Sequence, residues 1–163
     1  MPRIFTQDIA IAQSDIDVQG HVNNTRYVAW MQDVAVAHSA AQGWPMSRYV
    51  AEGAGWVVRQ HTITYKRPCF LGEVVTACTW IATFSPRQSA RRYLFWRAAD
   101  RVVLAEAETQ WVFIDLKTGR PSKVPQSLRE AFEIVEDDGE VKRMLEGERL
   151  YHSVLFDIGS SHP

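Results

Sequence analysis

The chain has 163 residues, of which 46% are hydrophobic and 23% charged; this fits one globular domain and excludes a disordered chain. Its 18 basic and 19 acidic side chains give a formal net charge of −1, so no basic surplus is available for binding along a nucleic acid. No segment approaches the about 20 apolar residues of a membrane span, and the N-terminus lacks the apolar run of a signal peptide. We therefore expect neither nucleic acid nor membrane as a partner.

Two cysteines, Cys69 and Cys78, are too few for a disulfide scaffold and lack the spacing of a zinc site. They are interpreted as two structural thiols in a reducing compartment, which favours the cytoplasm. Neither a metal nor a cofactor is expected.

The first two elements are a strand and a long helix. In residues 4–12 apolar and polar side chains alternate, as in a strand. After a polar stretch, apolar residues recur at helical spacing up to a stop signal at Gly43 and Pro45. The apolar face of this helix carries Tyr27, Trp30, Met31, Val34, His38 and Ala41. The opposite face is also apolar or small (Val28, Ala29, Val36 and Ala40), which is typical of a helix buried in an interior.

From Trp56 onward the period changes to two, and four strands are predicted: "WVVRQHTITYKRP", "GEVVTACTWIATF", "SARRYLFWRAA" and "RVVLAEAETQWVFID". "VPQSLREAF" reads as a short helix. The order predicts a two-layer α+β domain over residues 1–135, with an antiparallel sheet of five to six strands curled around the helix. Residues 136–163 are predicted to be an acidic linker (136–140) and a C-terminal extension in which "RLYHSVLFDIG" forms an added strand. A second copy would cover the rest of the helix and an unpaired end strand, so a dimer is expected.

The stretch "SDIDVQGHVNNTRY", residues 14–27, allows three interpretations. A calcium loop needs a glutamate at its twelfth position, where Arg26 stands, and is rejected. A polar connector is the second interpretation, with Asn23 or Asn24 capping the helix and Gly20 supplying backbone freedom. A catalytic turn is the third, because a carboxylate seven residues before a buried helix can fold back beside its N-terminal N–H groups.

The third interpretation has a definite chemistry. The N–H groups at the helix start can polarise a carbonyl, while Asp17, ionised near pH 7, attacks that carbonyl or activates a water. One carboxylate is a weak nucleophile, so the leaving group must be good; a thiolate, with a parent thiol pKa near ~8.5, meets that need. Since the chain has no Gly-x-Ser-x-Gly and no HExxH motif, the residues indicate acyl transfer from an activated donor and no finer class.

Three segments resemble a known family: "DIDVQGHVNNTRYVAW", "ITYKRPCFLGEVVTACTWI" and "AEAETQWVFIDLKTGRPSKVP". Over about residues 5–132 they are similar to the hot-dog fold acyl-CoA thioesterases, most closely the 4-hydroxybenzoyl-CoA thioesterase-like group. "HVNNTRY" also resembles acyl-carrier-protein thioesterases of that fold. The resemblance implies a long helix wrapped by an antiparallel sheet, and a homodimer or a dimer-based tetramer with active sites at the subunit interface.

The resemblance also implies roles for residues of the polar stretch. The family's catalytic aspartate corresponds to Asp17, before the loop glycine Gly20, and its carbonyl-polarising amide falls on or next to Asn24. Asn23 stands where many relatives have an aromatic or aliphatic residue. This leaves two roles for His21 and Asn23: orienting a water or bracing the turn, with bracing favoured.

Further residues are predicted to contact substrate. Tyr27, Trp30, Met31 and Trp56 are candidates to line an acyl pocket, and His61 is a further pocket group. Large aromatic side chains near the carbonyl would favour short, branched or aryl acyl groups. Arginine suits the phosphates of CoA, and Arg87 and Arg91 are the candidate phosphate contacts. Arg92 alternates to the opposite face of the strand from Arg91. Three cations of the loop after the last strand, Lys117, Arg120 and Lys123, are similar candidates.

The leading hypothesis is therefore a thioesterase that hydrolyses acyl-CoA. Three alternatives are an acyl-carrier-protein thioesterase, a non-catalytic protein that binds or senses acyl thioesters on the same fold, and a hot-dog hydratase pairing His21 with Asp17. Thiol release separates hydrolysis from binding alone.

Overall fold

The computed structural model describes residues 3–147, which form one sheet, one long helix and several short helices. The strands, in chain order, are β1 Ile4–Ala10, β2 Ala54–Tyr65, β3 Val74–Phe84, β4 Gln88–Arg97 and β5 Val103–Asp115. The helices are α1 Asn24–Ala41, α2 Met46–Glu52, α3 Gln126–Glu130 and α4 at residues 138–147, with a 3-10 helix at Gln13–Asp15. Within this part of the chain, no helix is both long enough and apolar enough to cross a bilayer.

The strands form a single antiparallel sheet in the order β1-β3-β4-β5-β2. Helix α1 packs on one face of it, here the inner face, with its closest approach to β1 and β3. Register shifts leave one residue unpaired in each of β2, β3 and β5, as bulges do. The predicted α+β arrangement is confirmed, with five strands in the described residues. Strand β2 is an edge strand, and it has no partner on its outer side within those residues.

Helix α1 buries one face and leaves the other open. The Asn23 side chain caps it by accepting a hydrogen bond from the Thr25 N–H at 3.0 Å, which confirms one of the two predicted caps. The predicted apolar face is buried from Tyr27 to His38. On the opposite face Val36 is 47% exposed, so a single chain does not enclose this helix on all sides.

Helix α2 was not predicted from the sequence. Pro45 stands at its N-cap and Gly53 ends it in the left-handed conformation, with φ 69°. This proline-to-glycine bracket is a helix signal that can be read in the sequence. Tyr49 fastens the helix, since its hydroxyl and that of Ser39 on α1 lie 2.8 Å apart.

The outer face of the sheet is covered by α4. Val141 and Leu145 pack with Val135 on a cluster of outer-face side chains, Cys78, Trp80, Leu94 and Trp96. Asp138, at the first turn of α4, accepts two 3.0 Å hydrogen bonds from Arg92. The linker predicted at 136–140 is therefore wrong for its last three residues, which begin helix α4. The helix forms because the apolar residues that follow at helical spacing pack on the sheet. The strand predicted in "RLYHSVLFDIG" lies outside the described residues.

Candidate active site

The proposed catalytic carboxylate sits in a small hairpin before α1. Ile16 and Val22 form an antiparallel bridge, which folds the intervening loop back on itself. One oxygen of Asp17, Oδ1, accepts hydrogen bonds from the N–H groups of Gln19 at 2.9 Å and His21 at 3.2 Å. The other oxygen, Oδ2, has no hydrogen-bond donor among residues 3–147. Backbone amides thus fix the half-buried carboxylate through one oxygen and leave the second available for chemistry.

The hairpin leads directly into the start of α1. The Val22 N–H donates to the Cys69 carbonyl at 2.9 Å, which ties the hairpin to the loop before β3. Asn23 uses its side-chain oxygen for the cap, so that amide is occupied by the helix. No acceptor for the Asn24 N–H is found within the described part of the chain. Because the first N–H groups of a helix lack intrahelical partners, this N–H is available to an external acceptor, and its predicted role in polarising a carbonyl stays a prediction.

A second carboxylate, two residues before Asp17, has a different environment. Asp15 is 5% exposed; it accepts the Ala12 N–H at 2.8 Å and forms an ion pair of 2.7 Å with Arg26 in the first turn of α1. Its carbonyl also accepts the Asn23 N–H at 2.7 Å. Both carboxylate oxygens and the carbonyl oxygen of Asp15 are thus engaged, so this aspartate fastens the hairpin to the helix.

Both candidate histidines are held by their surroundings. The backbone of His21 closes the turn with Asp17, its carbonyl accepting the Asp17 N–H at 2.8 Å, and its ring packs edge-on against Phe70. His61 lies on β2 with Nδ1 2.8 Å from the Thr109 hydroxyl, and burial lowers its pKa. Gly20 supports the turn with φ 84°.

Two of the predicted pocket residues belong to the core instead. Tyr27 and Trp30 are each 3% exposed, and their rings pack on each other and on Phe95. The Tyr27 hydroxyl lies 3.3 Å from the Cys69 sulfur, and burial raises the pKa of Tyr27. Their face of α1 packs against the sheet and neither residue lines the apolar cavity described next, so their role as acyl contacts stays a prediction.

The main apolar cavity lies at the other end of α1. Its volume is about 320 Å³, at the lower end of the range for small-molecule sites. Trp56, predicted as a lining residue, forms part of the wall beside Phe84. The rest of the wall was not predicted, notably Ala35, Ser39, Met46, Val50, Trp111 and Phe132. Exposed side chains at its mouth include Val36 and Val50, so the cavity opens through an apolar rim.

The two arginines predicted to bind CoA phosphates differ in position. Arg87 is exposed in the turn between β3 and β4. Arg91 is 5% exposed and lines the cavity, because it alternates to the inner face while Arg92 points outward. This buried position does not favour a phosphate role for Arg91, because a solvated diphosphate would have to enter the interior of the domain. The exposed loop that carries Lys117 and Arg120 follows Leu116 at the cavity.

The hairpin and the cavity do not meet within one chain. None of the cavity's lining residues comes from the hairpin or from the first turn of α1. Gln32, the first α1 residue at the cavity, lies eight residues after Asn24, or roughly 12 Å along the helix axis. A carbonyl held at Asn24 thus cannot place a short acyl group in the cavity of the same chain.

Comparisons with known proteins give concordant results. A family model described as the thioesterase-like superfamily matches residues 11–132. The long-chain acyl-CoA thioesterase FadM of Escherichia coli (strain K12) is 26% identical over 121 residues, 72% of this chain and 89% of that protein. The chloroplastic palmitoyl-acyl carrier protein thioesterase of Gossypium hirsutum is 23% identical over 137 residues, 77% of this chain and 32% of that protein.

A solved structure confirms the predicted hot-dog fold. A mutant of 4-hydroxybenzoyl-CoA thioesterase, crystallised with 4-hydroxybenzoyl-CoA, superimposes with a TM-score of 0.75 at 19% identity. The match covers 81% of this chain and 100% of that one.

Proposed function

The chain belongs to the thioesterase-like superfamily, and from this membership we propose that it is an acyl-CoA thioesterase, hydrolysing an acyl-CoA to a free acid and CoA. The observation that carries the proposal is the hairpin at Asp17. It presents a carboxylate with one oxygen that has no donor among residues 3–147, in the segment that leads into an 18-residue helix whose first N–H, that of Asn24, has no acceptor among the same residues. A nucleophile or base and a carbonyl-polarising donor are the minimal parts for thioester hydrolysis.

The reaction uses these two groups in sequence. The thioester carbonyl accepts a hydrogen bond from the Asn24 N–H, which stabilises negative charge developing on its oxygen. Asp17 removes a proton from a water that adds to the carbonyl carbon, or adds to that carbon itself and is then released by water. The carbon–sulfur bond breaks and the sulfur leaves as the CoA thiolate, which takes up the proton.

We propose that a second copy of the chain completes the active site. Val18, next to Asp17, is fully exposed at the hairpin tip, and the cavity rim is apolar and exposed as well. In a two-fold dimer with antiparallel α1 helices, the N-terminal tip of one helix lies beside the C-terminal half of the other. Pairing of the two β2 edge strands would remove both unpaired edges. The homodimer, and any dimer of such dimers, brings each hairpin to its partner's cavity.

The cavity and its surroundings favour a class of substrate. At about 320 Å³, walled by Trp56, Phe84 and Trp111, it suits a short, branched or aryl acyl group better than a long fatty chain. The loop cations Lys117 and Arg120 are exposed near the mouth, where CoA phosphates would lie. CoA is thus favoured over acyl-carrier protein as the thiol carrier. Both cysteines are buried and neither forms a disulfide within residues 3–147, which fits the reducing cytoplasm.

The test is thiol release from a panel of acyl-CoA and acyl-carrier-protein thioesters by wild-type protein and Asp17→Asn. Asparagine can still accept the Gln19 N–H, so the turn is kept while the base is lost. We expect Asp17→Asn to lower kcat about 10²- to 10⁴-fold. Asp33→Asn, a matched change at an exposed aspartate on α1, should stay within about twofold of wild type.

Each other outcome has a definite meaning. Unchanged turnover by Asp17→Asn would remove Asp17 from the mechanism. Binding of acyl-CoA without thiol release would contradict hydrolysis and favour a binding protein. Release from acyl-carrier protein alone would reassign the thiol carrier.

A further inference from the structure

One charged side chain lies inside the apolar cavity. Arg91 projects from β4 to the inner face and is 5% exposed. It is the sole charged residue among the described residues that line the cavity; the others are apolar, aromatic, or neutral polar groups such as Gln32 and Ser39. An acyl group entering this cavity therefore meets aromatic and aliphatic walls and one guanidinium.

The positive charge of Arg91 has no counter-charge in the part of the chain that the structure describes. Its Nη1 lies 2.9 Å from His38 Nδ1 and donates to the Thr79 hydroxyl at 3.1 Å, and both acceptors are neutral when His38 carries its proton on Nε2. The ring of Phe132 lies 5.9 Å from the guanidinium carbon. Its neighbours across the strands, Ile81 and Thr109, are uncharged. Neither Nε nor Nη2 makes a hydrogen bond to residues 3–147.

The adjacent arginine, Arg92, differs from Arg91 in having acidic partners. Arg92 is hydrogen-bonded to Glu108 at 2.9 Å and to Asp138 at 3.0 Å, and these bonds raise its pKa. Burial lowers the pKa of Arg91. A buried cation without an anion costs several kcal/mol, and a well-packed apolar residue would serve the fold as well or better. Such a charge is expected where a ligand provides the anion.

The lining along α1 indicates the length of chain that the cavity accepts. Its α1 lining runs from Gln32 to Ser39, seven residues or roughly 10 Å along the helix. An extended backbone residue of three bonds spans about 3.5 Å, so 10 Å corresponds to about eight bonds. A six- to eight-carbon acyl group is therefore about as long as this row of lining residues.

We propose that the acyl groups accepted by this cavity carry a carboxylate at the end remote from the thioester, and that Arg91 binds this carboxylate through its free Nε and Nη2 donors. The two parallel donors on one edge of a guanidinium match the two oxygens of a carboxylate. The substrate class becomes carboxyacyl-CoA, an aliphatic or aryl diacid bound to CoA through one end. This inference rests on the proposed thioesterase function and adds the identity of its acyl group.

The experiment compares matched pairs of thioesters: adipoyl-CoA with hexanoyl-CoA, and suberoyl-CoA with octanoyl-CoA. Wild-type protein should show a kcat/KM at least about tenfold higher for the carboxylated member of each pair, as hydrogen bonds to a charged group imply. Arg91→Met, which keeps an unbranched side chain of similar length, should lower kcat/KM for carboxyacyl-CoA about 100-fold and reverse the preference. Lys142→Met removes an exposed cation on α4 and should leave the preference unchanged.

A ligand measurement keeps the test decisive if Arg91→Met does not fold. Free suberate should raise the melting temperature of wild-type protein more than octanediamide does at equal concentration, because only suberate carries a carboxylate that Arg91 can bind. Arg91→Lys keeps a cation but loses the two-donor edge, so it should retain part of this difference.

The outcomes separate the two proposals. Wild-type hydrolysis of hexanoyl-CoA and octanoyl-CoA at rates equal to or above the carboxylated partners would overturn the carboxylate site and leave the thioesterase standing. A folded Arg91→Met with the wild-type preference would also overturn it, and would restrict Arg91 to bracing His38 and Thr79. If no thioester is hydrolysed, the enzyme proposal fails, while suberate binding that depends on Arg91 would still support the anion site.

Discussion

The two ends of α1 are assembled in opposite ways. At the N-terminal end the hairpin and helix cap consist of consecutive residues, 15–25, held by hydrogen bonds between near neighbours in sequence and by one long-range bond, from Val22 to Cys69. At the other end the cavity is formed by two helices, four strands and three loop positions that are far apart in the chain. A site built from one continuous segment leaves a pattern in the sequence, whereas a site built from many segments leaves none until the chain is folded.

The strongest test of this comparison asks whether the two ends work within one chain or across two. Asp17→Asn removes the base but keeps the cavity, and the double change Val36→Trp with Val50→Trp blocks the cavity mouth but keeps the base. Each variant alone should lose at least about 100-fold in kcat/KM. Both valines are exposed, so the added bulk does not enter the core.

Mixing the two inactive variants gives the decisive result. If each site takes its hairpin from one copy and its cavity from the other, half of the dimers are mixed and each has one intact site. Activity should then recover to about 25% of wild type after subunit exchange. A mixture that remains as inactive as its parents, with mixed dimers detected by mass, would show that the site is not shared.

The next largest expected effect is a difference in folding stability between variants of the two aspartates in the hairpin. Asp15→Asn should lower the free energy of unfolding by about 2–3 kcal/mol, because it uncouples the 2.7 Å pair with the partly exposed Arg26 and weakens a buried acceptor. Asp17→Asn should change it by less than about 0.5 kcal/mol, since asparagine preserves the turn. Urea unfolding of both variants, read beside thiol release, makes the comparison.

The contradicting pattern is equally clear. If Asp17→Asn is the less stable variant and Asp15→Asn loses turnover while staying folded, the structural and catalytic assignments of the two carboxylates must be exchanged.

The same contrast explains how far the sequence could be read. The succession of strands along the chain, the long helix and the Asn23 cap followed from residues close together in the chain, as did the hypothesis for Asp17. Tyr27 and Trp30 were assigned to a pocket because helical spacing identifies an apolar face but not what that face packs against. Arg91 was assigned to phosphates because alternation places it opposite Arg92 without showing which face is interior.

Two elements were missed although local signals were present. Helix α2 is bracketed by Pro45 and Gly53, and α4 carries Val141 and Leu145 at a helical spacing after an aspartate-rich start. Both are short, and propensity alone is weak over so few residues. Their stability comes from packing on surfaces that other parts of the chain provide.

The smallest expected effect concerns the cap that joins the hairpin to α1. Asn23→Ala removes the acceptor of the Thr25 N–H and should cost about 1 kcal/mol of unfolding free energy, whereas Asn23→Asp keeps an acceptor and should cost less. If Asn23 only braces the helix start, both variants should keep kcat/KM within about threefold of wild type under conditions where they are folded. A loss of turnover in Asn23→Ala far beyond its loss of stability would contradict this. Such a result would make the amide a contact of the substrate or its water, so the continuous end of the site would combine structure and chemistry in the same residue.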